Sequence, residues 1–196
     1  KKMKLKISIS SWIYFFLFSL SLFAQPANDN CSGAQNLGTL PTPGACAGGV
    51  QNGTTINFNN LTTVGATSNN PYTYQTNCSG SSSIMAAAAL DVWYSCVSTG
   101  TVFNLSISGF ANANVAIWYG NNCNTLNPWG CMIANGSGSG SMTLTQMTMG
   151  QTYYIEVSGN NATTTDNNFS LTLDNDIDCN DCLTQANLTA SPLPVN

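Results

Sequence analysis

The chemistry open to this chain of 196 residues is set first by what it lacks, because past Lys6 there is no lysine, arginine or histidine. All four bases, Lys1, Lys2, Lys4 and Lys6, sit at the start, so residues 25–196 carry eight acids and a formal charge near −8, against −4 for the whole sequence. Without an imidazole or an amine there is no base to activate a serine and no lysine nucleophile. Nothing in residues 25–196 can neutralise phosphate, which excludes nucleic acid as a partner. Adhesion to anionic lipid is excluded for the same reason.

Acids, cysteines and aromatic residues remain. Asp174, Asp176, Asp178 and Asp181 put four carboxylates into eight positions. Alternating aspartates offer the hard oxygen ligands that open calcium loops, so calcium is the one cofactor the sequence suggests. The turn glycine and the distal glutamate of an EF-hand are missing, and a solvated acidic linker is the blander reading. Two carboxylates can also serve glycoside hydrolysis. Asp91 and Glu156 are the only acids on predicted strands outside the tail, so that pairing rests on scarcity, and no catalytic residue is assigned.

The eight cysteines are Cys31, Cys46, Cys78, Cys96, Cys123, Cys131, Cys179 and Cys182. Behind an export signal they read as structural disulfides. Cys123 and Cys131 are the best local candidates for a bond, since a hairpin-like excursion could bring them together; the partners of the other six stay open. Zinc is poorly supported without histidine, and Cys179-x-x-Cys182 lacks the βαβ setting of a redox motif. Trp93, Trp118, Trp129, Tyr72, Tyr74 and Tyr154 could offer platforms for sugar rings. Trp118 and Tyr154 are the ligand-binding candidates, because each lies opposite the inward residues of its strand. The alternative is that these rings cover a second face of the sheet.

The elements that would position these groups are short and alternating. In Gly150–Gly159, Tyr153, Ile155 and Val157 fall on one face and Thr152, Tyr154 and Glu156 on the other, the period of two of a half-buried strand. Asp91–Val97 is a strand. So is Thr101–Ser108, with Phe103, Leu105 and Ile107 inward, and Ala113–Tyr119, with Val115 and Ile117 inward. Gly130–Ala134, Ser141–Met147 and Phe169–Leu173 follow, Gly136–Gly140 reads as a flexible connector, and Thr54–Phe58 and Leu61–Ala66 are earlier candidates. Ile84–Ala89 fits either a helical turn or a lead into the next strand. The predicted fold class is all-β, an antiparallel jelly-roll-like β-sandwich.

Residues 1–24 read as a secretory signal peptide, with a basic start, an apolar run from Ile7 to Phe23 and a cut near Ala24. Residues 25–173 form the expected sandwich domain. Residues 174–196 form an acidic, cysteine-containing linker and the start of a further module, which makes neighbouring domains of a longer chain the nearest partners.

Asp91-Val92-Trp93-Tyr94-Ser95, Gly100-Thr101-Val102, Val115-Ala116-Ile117-Trp118-Tyr119-Gly120, Gly150–Val157 and Asn168–Leu173 together resemble the bacterial pre-peptidase C-terminal domain. Pro26-Ala27-Asn28-Asp29-Asn30-Cys31 is similar to the mature start of such modules in secreted Bacteroidetes proteins. The resemblance spans about residues 26–173 and is tight only from residue 90. It implies a jelly-roll-like sandwich, accessory to exported peptidases and surface proteins, with no catalytic residues of its own. Cys96 stands where the family usually has an aromatic residue. The expected role is a non-catalytic module, secreted or at the cell surface and not inserted in a membrane after signal cleavage, that serves adhesion, positioning or contact with an extracellular glycan or protein surface. The alternatives are a carbohydrate-binding module of a secreted enzyme and an accessory domain of a secreted peptidase.

Overall fold

A computed structural model describes residues 25–46, 48–67, 90–159 and 167–180. The signal-peptide reading, Ile84–Ala89, Tyr72, Tyr74, Cys78, Asp181 and Cys182 lie outside the described residues. Among the described residues a 3₁₀ turn at Cys31–Gly33 is followed by ten strands: β1 (Gln35–Thr39), β2 (Val50–Gln51), β3 (Ile56–Thr62), β4 (Asp91–Val97), β5 (Val102–Ser108), β6 (Asn114–Tyr119), β7 (Asn127–Ile133), β8 (Gly140–Leu144), β9 (Thr152–Ser158) and β10 (Asn168–Asp178).

These strands form a β-sandwich. One sheet has the order β1-β4-β9-β6-β7 and the other β2-β10-β5-β8, with β3 also pairing with β10. The pairings are antiparallel except at one edge, where β1 runs parallel to β4 with Gln35 opposite Tyr94. Between the sheets lie Val92, Tyr94, Cys96, Val115, Ile117, Tyr153, Ile155 and Val157 from one side and Phe103, Leu105, Ile107, Phe169, Leu171 and Leu173 from the other, each 3% exposed or less. Among them, Phe103, Leu105, Ile107, Val115, Ile117, Tyr153, Ile155 and Val157 are the inward positions expected from the alternation. Each fully buried aliphatic or phenyl side chain contributes on the order of 1.5–3 kcal/mol, so this interface is a main source of stability in a fold whose described residues include no lysine, arginine or histidine.

Two strand boundaries and one connector differ from expectation, and the early candidates Thr54–Phe58 and Leu61–Ala66 are one strand, β3. β10 does not stop at Leu173 but continues through Asp178, so the acidic run begins as a strand rather than a linker. The extension is held by the β5 ladder, with Asp174 opposite Asn104, Asn175 opposite Phe103 and Asp176 opposite Val102. β7 starts at Asn127, ahead of the expected Gly130. The stretch before β8 is a fixed turn rather than a flexible connector, because the Asn135 Oδ1 accepts the amides of Ser137 and Ser139 at 3.0 Å each. Among the described residues no helix is long and apolar enough to cross a membrane.

Candidate functional site

The chemistry-bearing residues gather on the outer face of the β1-β4-β9-β6-β7 sheet. With Val92, Tyr94 and Cys96 turned into the core, β4 turns Asp91, Trp93 and Ser95 the other way. The pairing register then builds three rows across β4, β9 and β6: Asp91, Ser158 and Asn114; Trp93, Glu156 and Ala116; Ser95, Tyr154 and Trp118. Asp91 and Glu156 are thus diagonal neighbours on adjacent strands.

Both carboxyls are sealed, Asp91 at 1% and Glu156 at 0% exposure. The Trp93 indole Nε1 donates to Asp91 Oδ2 at 2.6 Å. The Trp118 indole Nε1 donates to Glu156 Oε2 at 2.9 Å. The two indoles lie with ring centroids 6.4 Å apart and planes tilted by 34°. Burial, reinforced by the nearby Asp91 charge and opposed by the Trp118 hydrogen bond, pushes the Glu156 carboxyl up to about 8.

The N-terminal segment closes over this sheet. Trp93 N donates to the Asn28 carbonyl at 2.8 Å, and Asn28 Nδ2 returns a bond to the Trp93 carbonyl at 3.1 Å. The Asp29 carboxylate accepts the Thr67 amide, and the Thr67 hydroxyl at 2.6 Å. Cys31 bonds to Cys123 with Cα atoms 5.7 Å apart, tying the 3₁₀ turn to the loop between β6 and β7. Cys31, Trp93, Ala116 and Trp118 make a second small apolar cluster, with Cys123, Leu126, Cys131, Ile133 and Tyr154 packed against it.

The expected Cys123–Cys131 bond is therefore corrected: Cys123 pairs with Cys31. In the β6–β7 hairpin Tyr119 opposes Asn127 and Ala116 opposes Cys131, so Cys131 lies four residues into its strand while Cys123 is in the loop beyond the strand ends. A cysteine forms one disulfide, so the bond to Cys31 leaves Cys123 unavailable to Cys131. Cys131 is itself disulfide-bonded, with its partner outside the described residues. Cys46 bonds to Cys179. Cys96 is a free thiol buried on the core side, and desolvation pushes it up to about 12.

The sugar-platform candidates separate. Trp118 is 3% exposed and its N–H is committed to Glu156, so it offers no face to a ligand. Tyr154 is half-buried and lines a cleft of about 410 Å³ beside the Cys31–Cys123 bond, together with Ser32, Ser95, Asn121, Asn122 and Asn124. Ser32, Asn121, Asn122 and Asn124 carried no sequence signal beyond turn composition, since the disulfide ties together their two distant segments.

Of the acidic run, Asp174, Asp176 and Asp178 lie on β10 and Asp181 lies outside the described residues. Asp176 accepts the Gly53 amide at 2.7 Å on one oxygen and Asn104 Nδ2 at 2.8 Å on the other. Asp178 Oδ1 accepts the Asn180 amide. The Asp174 carboxyl is raised by burial and then by Asp176, and its Oδ1 is buried without a hydrogen-bond partner. Among the described residues no group of three or more acidic, cysteine or histidine side chains is placed to hold a metal ion.

No protein-family model matches the chain. No curated protein matches it in sequence. Among solved structures, it is similar to the Aeromonas hydrophila periplasmic inhibitor of g-type lysozyme, at 14% identity and a TM-score of 0.34, covering 71% of this chain and 96% of that one. It is similar to the pre-peptidase C-terminal domain of a Bacillus anthracis collagenase, at 12% identity and a TM-score of 0.37, covering 71% and 93%. It is also similar to a Podospora anserina GH26-CBM35 β-(1,4)-mannanase, at 15% identity and a TM-score of 0.32, covering 61% of this chain and 27% of the mannanase.

Proposed function

We propose that the chain is a non-catalytic β-sandwich module of an exported protein, whose task is to position neighbouring domains and to present a surface for contact. One observation carries this reading. Asp91 and Glu156, the acids that the sequence offered as a general acid–base pair, are sealed at 1% and 0% exposure behind the indoles that hydrogen-bond them. A glycosidase needs its two carboxyls flanking a scissile bond that substrate can reach, and no substrate reaches these. Beyond Lys6 no imidazole, amine or guanidinium side chain is present to serve as a nitrogen base or an anion clamp.

The Cys31–Cys123 and Cys46–Cys179 bonds support maturation in an oxidising compartment, outside the cytosol. The test is turnover by the purified, oxidised chain on peptide, ester and glycoside substrates, with Glu156→Gln as the control. The reading expects no hydrolysis above buffer. Hydrolysis that is lost in Glu156→Gln would overturn it.

A further inference from the structure

The cleft beside Tyr154 is built like a small binding site. Its volume of about 410 Å³ falls in the range in which small ligands are held. Its walls come from two segments far apart in sequence, the 3₁₀ turn and the β6–β7 loop, locked together by a disulfide that spans 92 residues. The loop is further fixed from within, because Asn122 Oδ1 accepts the Asn124 amide at 2.9 Å and the Asn122 carbonyl accepts the Thr125 amide at 3.2 Å. The floor is Ser95 of β4 and Tyr154 of β9, which face each other across the strand pair. Such a site costs little ordering entropy when a ligand binds.

Its chemistry is narrow. The lining has hydroxyls from Ser32 and Ser95, amides from Asn121, Asn122 and Asn124, and one aromatic ring, with no ionisable acid or base among these groups but the Tyr154 phenol. A phosphate, sulfate or sugar carboxylate would be desolvated with no cation to meet it, and residues 25–196 hold none to supply. A cationic ligand would find no carboxylate in the lining. Neutral donors and acceptors beside an aromatic face match the alternating hydroxyls and C–H face of a sugar ring.

The geometry points to an uncharged glycan as the ligand of this cleft, with Tyr154 as the stacking face and the asparagine and serine side chains as its hydrogen-bonding rim. This rests on the non-catalytic reading and names the kind of surface contact it entails. Affinity is modest, with a Kd on the order of 0.1–1 mM, as one stacked ring and a few bonds at an open cleft allow.

The experiment titrates the oxidised chain, by calorimetry and by NMR, with neutral disaccharides of glucose, mannose, galactose and N-acetylglucosamine, and with sulfated and sialylated sugars as the acidic arm. At least one neutral sugar should saturate, and the acidic sugars should not. Tyr154→Ala should weaken binding at least tenfold, Tyr154→Phe should retain it, and Asn121→Ala should weaken it about threefold. Should Tyr154→Ala fail to fold by circular dichroism, the exposed pair Asn121→Ala with Asn124→Ala carries the decision and should weaken binding tenfold. The proposal falls if no neutral sugar saturates, if acidic sugars bind better, or if binding survives in the folded variants. Sugar recovered cleaved would overturn the non-catalytic reading instead, while a saturable cleft would still stand.

Discussion

Trp118 and Glu156 sit on adjacent strands of one sheet, 38 residues apart in sequence, and meet through an indole N–H that donates to a buried carboxyl at 2.9 Å. With Asp91 nearby and held in the same way by Trp93, the protein buries two acids on one face, and the described residues include no cationic side chain. Burial of a charged carboxylate is costly, and desolvation raises the Glu156 carboxyl so that its protonated form is favoured at neutral pH.

That proton gives a stability profile with a defined sign. Glu156 is raised from an ordinary 4.5 to about 8 in the folded protein. Below pH 4.5 the folded and unfolded states both hold the proton, and this group costs nothing. As pH rises from 4.5 towards 8 only the unfolded chain gives up its proton, so stability falls, by a few kcal/mol in all, and then levels off. Chemical denaturation from pH 4 to pH 9 should show this decline. The difference between the chain and Glu156→Gln should carry it, and a difference that does not vary with pH would remove the account.

Trp118→Phe keeps most of the apolar ring but deletes the donor. The loss expected for a buried hydrogen bond to a carboxyl is about 1–3 kcal/mol. Because the Trp118 bond is what holds Glu156 down, the alkaline end of the decline should also move to higher pH in this variant. Thermal melts of the two proteins at pH 5 and pH 8 would check both parts.

Cysteine chemistry should divide in two. Replacing Cys31 and Cys123 by serine opens a loop of 92 residues and should cost about 2–5 kcal/mol. Cys96, buried at 1% exposure with its thiol pushed up to about 12, should resist iodoacetamide in the native protein and react once denaturant is added. Mass spectrometry of alkylated peptides would distinguish the sites.

Gly100 marks a close approach between the β4–β5 turn and the end of β10. A Cβ there would lie 2.0 Å from the Asp176 carbonyl oxygen and 2.5 Å from Asn175 Nδ2. Gly100→Ala should therefore destabilise by about 1–3 kcal/mol. Gly136→Ala, where a Cβ meets nothing within 4 Å, should change stability by less than about 0.5 kcal/mol. Paired urea melts would read the contrast.

Much of the sandwich was legible along the chain. The alternation of Tyr153, Ile155 and Val157 against Tyr154 and Glu156 is a local property, because side chains leave a strand on opposite sides wherever that strand is placed. The same alternation put Phe103, Leu105 and Ile107 inward before any partner strand was known. The lack of cations was legible too, and with it the exclusion of phosphate-gripping and base-driven chemistry.

What the alternation leaves open is which of two faces meets water. Trp118 and Tyr154 read alike in sequence, yet one is sealed over Glu156 and the other lines a cleft, because the segment from Pro26 to Gly33 folds back across part of the sheet. The Cys31–Cys123 bond spans 92 residues and the Asn28–Trp93 bond 65. Partnerships at such range follow from the order of strands in the sheet, a property of the whole chain in space that no local window contains. The continuation of β10 through Asp178 has the same origin: four acids in eight positions look like a solvated tail until the β5 ladder, Gly53 and Asn104 supply the bonds that hold the strand and its Asp176 carboxylate in place.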